Sequence, residues 1–167
     1  DENWQVDYEL GPQYVRAESL ESVTFKTDQN GIELSNPVEL LVAAAYSIDS
    51  DNAIVSLFIR NDSTGNWTES VIHSGASSGN SKDYSVRDIQ LYRDKVTNVD
   101  RLFVSVGKLG VFSGVFDSAF PNEIQFDDVS ETGPLNVRSL SIIEANNTML
   151  FSSGKKIYQR IDGDIPD

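Results

Sequence analysis

Apolar and polar residues alternate along most of this chain, in short runs that stop at Asn, Asp, Gly or Ser. The stretch Val86 to Leu91 reads apolar, polar, polar, apolar, polar, apolar, and Val137 to Ile142 has the same order. A period of two in runs rich in Val, Ile, Phe, Tyr and Thr predicts strands. No window keeps apolar residues at helical spacing through three turns, so no long helix is expected. The runs "NAIVSLFIRND" from Asn52 and "NWTESVIHSG" from Asn66 flank the loop "NDSTGN". They predict a hairpin with a mid-length loop.

The runs also repeat. In "VRDIQLYRD" from Val86 and "VRSLSIIEA" from Val137, Ile89 and Leu91 align with Leu140 and Ile142. An earlier match, "VELLVAAAY", starts at Val38, with Leu41 and Ala43 in the Ile89 and Leu91 places. The starts lie about 50 residues apart, a spacing typical of repeat architectures. Second strands align too: Leu102 and Val104 match Met149 and Phe151, each pair just before a Gly-Lys, at Gly107 and Gly154. Glycine supplies positive φ at little cost, so each Gly-Lys predicts a two-residue hairpin turn. The third strands are "LGVFSGVFD" and "KIYQRID", and a fourth precedes each start: "ESVTFKTD", "ESVIHSG" and "NEIQFDDV". The unit is four antiparallel strands.

From Glu21 to Asp162 this pattern resembles β-propeller blades. No Trp-Asp dipeptide, kelch double glycine or Asp-box is present, so no particular propeller family is indicated. The resemblance implies sheets stacked about an axis, with inner strands lining a central channel where ligands are held. It also implies that the N-terminal strand, 21–28, closes the last repeat. Three blades are too few for a ring, since propellers have at least four. The expectation is therefore a partial propeller, belonging to a longer chain or completed by a second copy under two-fold symmetry. A β-sandwich is the alternative. Residues 1–167 are read as one all-β domain, with repeats starting near 38, 86 and 137.

Charge narrows the partners. The 167 residues hold 26 acidic and 13 basic side chains, for a net charge of −13, and no basic run exceeds two residues. Nucleic acid is not an expected partner, because phosphate binding needs clustered cations. The longest apolar run, Leu40 to Tyr46, is too short for a membrane-spanning helix, so no membrane insertion is expected. With no cysteine, disulfides, thiolate metal sites and thiol nucleophiles are excluded. No signal peptide is read, and the chain opens at "DENWQVDYELG", as after removal of a leader. A surface rich in Asn, Ser, Thr, Asp and Gly fits a secreted, periplasmic or cell-envelope protein of bacterial origin. Sequons stand at Asn61, Asn66 and Asn146 and matter only in a eukaryotic secretory pathway.

Candidate chemistry is sparse. His73 is the single histidine. A catalytic triad or zinc site needs an imidazole with a carboxylate partner, and a lone histidine at the end of an outer strand reads as a surface or structural residue. The two Gly-Lys pairs lack the upstream glycine and following helix of a phosphate loop, and "GASSGNSK" (Gly75 to Lys82) fails that spacing. Carboxylates cluster at Asp49 and Asp51, at Asp127, Asp128 and Glu131, and at Asp162, Asp164 and Asp167. They lack the full ligand series of a calcium loop and read as solvated turns. Arg87 and Arg138 share one repeat position, with Glu39 in that place in the first repeat; on an inner strand they could fork onto a carboxylate or sulfate. Trp67, beside a loop, is the aromatic best placed to stack on a sugar; Tyr46, Tyr92 and Tyr158 read as packing between sheets.

The expected function is a non-catalytic binding or scaffold module, with a glycan or protein ligand, self-association completing the ring, and neither cofactor nor metal. Arg87, Arg138 and Trp67 are the expected ligand-binding residues, and no catalytic residue is assigned. The alternative is a propeller-type glycoside hydrolase or lyase using carboxylates and arginine at the central face.

Overall fold

The computed structural model describes residues 5–48, 51–61, 64–77, 80–120, 123–127, 136–143 and 148–160. These residues form an all-β protein of eleven strands and one short 3-10 turn, Ser81–Asp83. The first sheet runs β1 (Arg16–Thr27), β2 (Glu33–Ile48), β3 (Asn52–Asn61), β4 (Trp67–Ala76), and the second β5 (Val86–Arg93), β6 (Asp100–Val106), β7 (Gly110–Phe116), β8 (Ile124–Asp127). The third has β9 (Val137–Ile143), β10 (Thr148–Ser153) and β11 (Lys156–Gln159). Every neighbouring pair is antiparallel, and each sheet is a simple meander.

The second sheet lies between the other two. Leu102, Val104 and Val106 of β6 and Phe112 and Phe116 of β7 pack with Phe25, Leu40, Val42, Val55 and Leu57 of the first sheet. Phe103 of β6 and Val111 of β7 point the other way, against Val137, Leu140, Met149 and Phe151 of the third. This explains why β6 and β7 read as nearly unbroken apolar runs: both faces are covered. Each large side chain so buried contributes about 1.5–3 kcal/mol.

The repeats starting at Val86 and Val137 match strand for strand. Val86 pairs with Val106 and Ile89 with Val104; Val137 pairs with Ser153 and Leu140 with Phe151. The two Gly-Lys turns differ by one residue. Gly154 and Lys155 bridge Ser153 and Lys156, whereas Gly107, Lys108 and Leu109 bridge Val106 and Gly110. Both glycines have positive φ, 29° at Gly107 and 58° at Gly154. The predicted β3–β4 hairpin forms, pairing Arg60 with Trp67.

The first repeat differs from expectation. Val38 lies inside β2, the second strand of its sheet, and Leu40 and Val42 face the core while Leu41 and Ala43 face outward. The run Leu40 to Tyr46 is apolar on both faces, so alternation there cannot fix the phase. The segment expected to close the last repeat, 21–28, instead forms the end of β1 and pairs with β2. No fourth strand joins the third sheet among the described residues. The sequence stretches placed before each start, at β4 and β8, close the sheet they follow.

Residues 5–15 cross the outer face of the first sheet. Tyr8 and Tyr14 pack on Phe58, with ring centroids 5.7 and 5.1 Å away, and leave it 1% exposed. The Val15 amide donates to the Tyr46 carbonyl at 3.0 Å and leads the segment into β1.

Candidate functional site

The first strands of the three sheets, β1, β5 and β9, lie side by side along one edge of the stack. Each carries a one-residue bulge near its start, at Glu18, Arg87 and Arg138. Glu18, not Glu39, is therefore the first-sheet counterpart of the two arginines. A bulge breaks the pairing and re-aims the extra side chain.

Carboxylates at this edge tie each sheet to the next. Glu18 accepts the Val86 amide at 2.7 Å and the Ser85 hydroxyl at 3.0 Å, with Arg16 at 3.1 Å. Asp88, one residue past the second bulge, accepts the Leu140 amide at 2.9 Å. At the other end of β1, Asp100 accepts the amides of Lys26 and Thr27 at 2.5 and 3.1 Å. The same carboxylate takes two bonds from Arg93, at 2.8 and 3.0 Å. Hydrogen bonding to Asp100 raises the Arg93 guanidinium above its ordinary range, against the opposing effect of burial. Such links satisfy edge amides that would otherwise be open to another strand.

Arg87 and Arg138 are exposed. Arg87 donates to the Lys82 carbonyl at 3.1 Å, and neither guanidinium forms an ion pair among the described residues. Their bulges lie on neighbouring sheets, which in stacked β layers means about 10 Å apart. Between β1 and β5, further along β5 from Arg87, a cleft of about 450 Å³ is lined by Glu21, Ser22, Val23, Thr24, Lys26, Ile89, Gln90 and Leu91. Gln90 is held by Asp88 at 3.2 Å.

Trp67 lies apart from this edge. It starts β4 and stacks on Tyr8 at 5.6 Å, while its indole N–H donates to Asp7 at 2.9 Å. With Leu20, Ala43 and Phe58 it lines an apolar pocket of about 250 Å³ under residues 6–10. The structure thus brings Arg87 and Arg138 to one edge and puts Trp67 on the outer face of the first sheet. Nearby, Tyr14 donates to Glu69 and shares a 2.8 Å hydrogen bond with Ser56. Burial, and then the bond to Glu69, push the Tyr14 hydroxyl up to about 12.

The remaining candidates pack or lie elsewhere. His73 sits against Tyr84 and Phe112, at 6.2 and 6.4 Å between centroids. Tyr46 and Tyr92 are buried, and Tyr158 is on the exposed strand β11. Asp51 is exposed in the β2–β3 turn, and Asp127 ends β8. Asp49, Asp128, Glu131, Asp162, Asp164 and Asp167 fall outside the described residues. Among the described residues no group of three or more metal-ligating side chains converges, and no helix is long and apolar enough to cross a membrane.

Sequence reasoning missed Glu18, Asp88, Asp100 and the cleft. Only the shared bulge position could have flagged Glu18, and that needs the register of β1. Comparison with protein-family models, curated proteins and solved structures finds no match to the chain.

Proposed function

We propose that the chain is a non-catalytic binding or scaffold module of an exported bacterial protein, its sheets stacked in propeller fashion and its ligand a glycan or a protein. The ligand face is the edge made by the first strands. One observation carries this reading: two exposed guanidiniums occupy matching bulges of successive sheets, with an open cleft further along β5. The frame beneath them is held by carboxylate-to-amide links, so the site is ordered before any ligand arrives. Preorganisation of that kind is what a binding module needs. Among the described residues Glu21 is the carboxylate in the cleft lining, whereas glycoside hydrolysis by the usual route takes two facing each other.

The test is retention without turnover. The purified chain is passed over immobilised oligosaccharides and peptides, and bound sugar is then analysed for cleavage. Retention of an intact ligand, weakened by Arg87→Ala with Arg138→Ala, is the expected result. Release of shortened or unsaturated sugar moves the protein to the hydrolase or lyase class.

A further inference from the structure

We infer that the β5–β9 edge is an anion-recognition site and that its ligand is an acidic glycan, one bearing carboxylate or sulfate groups. This rests on the binding-module reading and names the ligand class for the same site. The planar guanidinium matches two oxygens of a carboxylate or sulfate at once. Both arginines are exposed, Arg87 giving one nitrogen to the Lys82 carbonyl. They have company. Lys82 is exposed five residues before Arg87. The pairing of Ser153 with both Val137 and Lys156 brings exposed Lys155 and Lys156 to the end of the third sheet where Arg138 lies.

Among the described residues, three carboxylates at this edge are already engaged, while Glu21 lines the cleft. Glu18 holds Arg16, Ser85 and the Val86 amide; Asp88 holds Gln90 and the Leu140 amide; Asp83 holds Lys108 at 2.8 Å. An anion arriving at the bulges meets cations whose described acidic neighbours, Glu18, Asp88 and Asp83, are occupied by other partners. The overall charge of −13 acts weakly, because a field is screened within about 8 Å at physiological salt.

The cleft decides between sugar and peptide. It is lined by the apolar Val23, Ile89 and Leu91 together with the polar Ser22, Thr24 and Gln90; the Ser22 hydroxyl donates to Glu39 at 2.8 Å and the Gln90 amide to Asp88. A pyranose has the same make-up, polar at its rim and apolar on its faces. Gln90 is three residues along β5 from Arg87, or about 10 Å at strand rise, so one ligand can reach both. A peptide would instead bind by adding a strand to an open edge. Here the amides of Lys26, Thr27, Val86 and Leu140 are already taken by Asp100, Glu18 and Asp88.

Four probes test this: a polygalacturonate oligomer, dextran sulfate, uncharged dextran and poly-L-glutamate, each titrated against the full chain at several salt concentrations. At least one acidic glycan is expected to bind, with affinity falling as salt rises, while dextran and polyglutamate do not. Arg87→Ala and Arg138→Ala should each weaken binding about tenfold, the loss of one charged hydrogen-bonding group. Paired lysine substitutions should recover part of that loss, and melting curves should stay unchanged, since both positions are exposed. Equal binding of dextran overturns the anion assignment and leaves the module reading standing. Binding of polyglutamate alone overturns the glycan and leaves a protein ligand. Retention of none of the four overturns the inference, and cleavage of a bound sugar overturns only the non-catalytic reading.

Discussion

Asp100 shows how much one carboxylate can carry in this protein. It is 4% exposed, and its two oxygens accept from the Lys26 and Thr27 amides and from Arg93. Asp100→Ala removes the acceptor of two edge amides and the carboxylate nearest the Arg93 guanidinium, and should cost about 2–4 kcal/mol in chemical denaturation. Asp100→Asn keeps one acceptor and should cost less; equal losses would mean that charge, not acceptance, matters. Tyr14 gives the pH counterpart. Its folded pKa, about 12, lies above the ordinary 10.0, so the neutral phenol is the form the fold favours. That contribution is complete below pH 10 and is lost as pH climbs towards 12. Difference titration of wild type against Tyr14→Phe, followed by tyrosinate absorbance, should show one late phenol near 12. A difference signal centred near 10 would mean that Tyr14 does not hold residues 5–15 in place.

Gly107 and Gly154 occupy the same turn in consecutive repeats, yet their surroundings differ. A Cβ on Gly107 would lie 2.1 Å from the Asp83 carbonyl oxygen, whereas one on Gly154 meets nothing within 4 Å. Gly107→Ala should therefore cost about 2–4 kcal/mol, from backbone clash as well as positive φ. Gly154→Ala should cost only about 1 kcal/mol, the left-handed penalty alone. Thermal melts of the two variants check this, and similar losses would mean the loops are not packed differently. That both turns could be read from sequence is no accident: each lies between two strand-like runs, and glycine marks the positive φ. The start of β1 was not legible, because Arg16 to Ser22 is mostly polar and exposed and reads as loop. Without β1, the first repeat slipped by one strand and Glu39 took the place of Glu18. The position of Arg87 and Arg138 was legible, since both sit in well-patterned strands. The cleft was not, because it forms between β1 and β5, which no local pattern relates.

At the scale of the whole molecule, the stack has two unlike ends. The outer face of the third sheet presents Ser139, Ser141, Thr148 and Ser152 among its apolar residues, and Ser139 bonds Ser152 across it at 3.0 Å. The outer face of the first sheet carries Leu20, Ala43, Phe58 and Trp67, an apolar surface like those that hold the sheets together. Residues 5–15 lie across it, fixed by Tyr14 to Ser56 and Glu69, and by Asp7 to Trp67 and to Arg60 at 3.3 Å. A second copy completing the ring, as the count of three sheets invites, would have to move that segment or dock over it. Loosening it should thus promote association: exposed apolar patches of this kind mark contact surfaces. Tyr8→Ser combined with Tyr14→Ser removes both rings from Phe58 while sparing the sheet-to-sheet core. Light scattering over a dilution series should find the variant larger than wild type at matched concentration, with Leu20→Glu restoring the smaller species. Equal masses at every dilution would show that the apolar face does not govern assembly, and that any partner docks on the first-strand edge or on the third sheet.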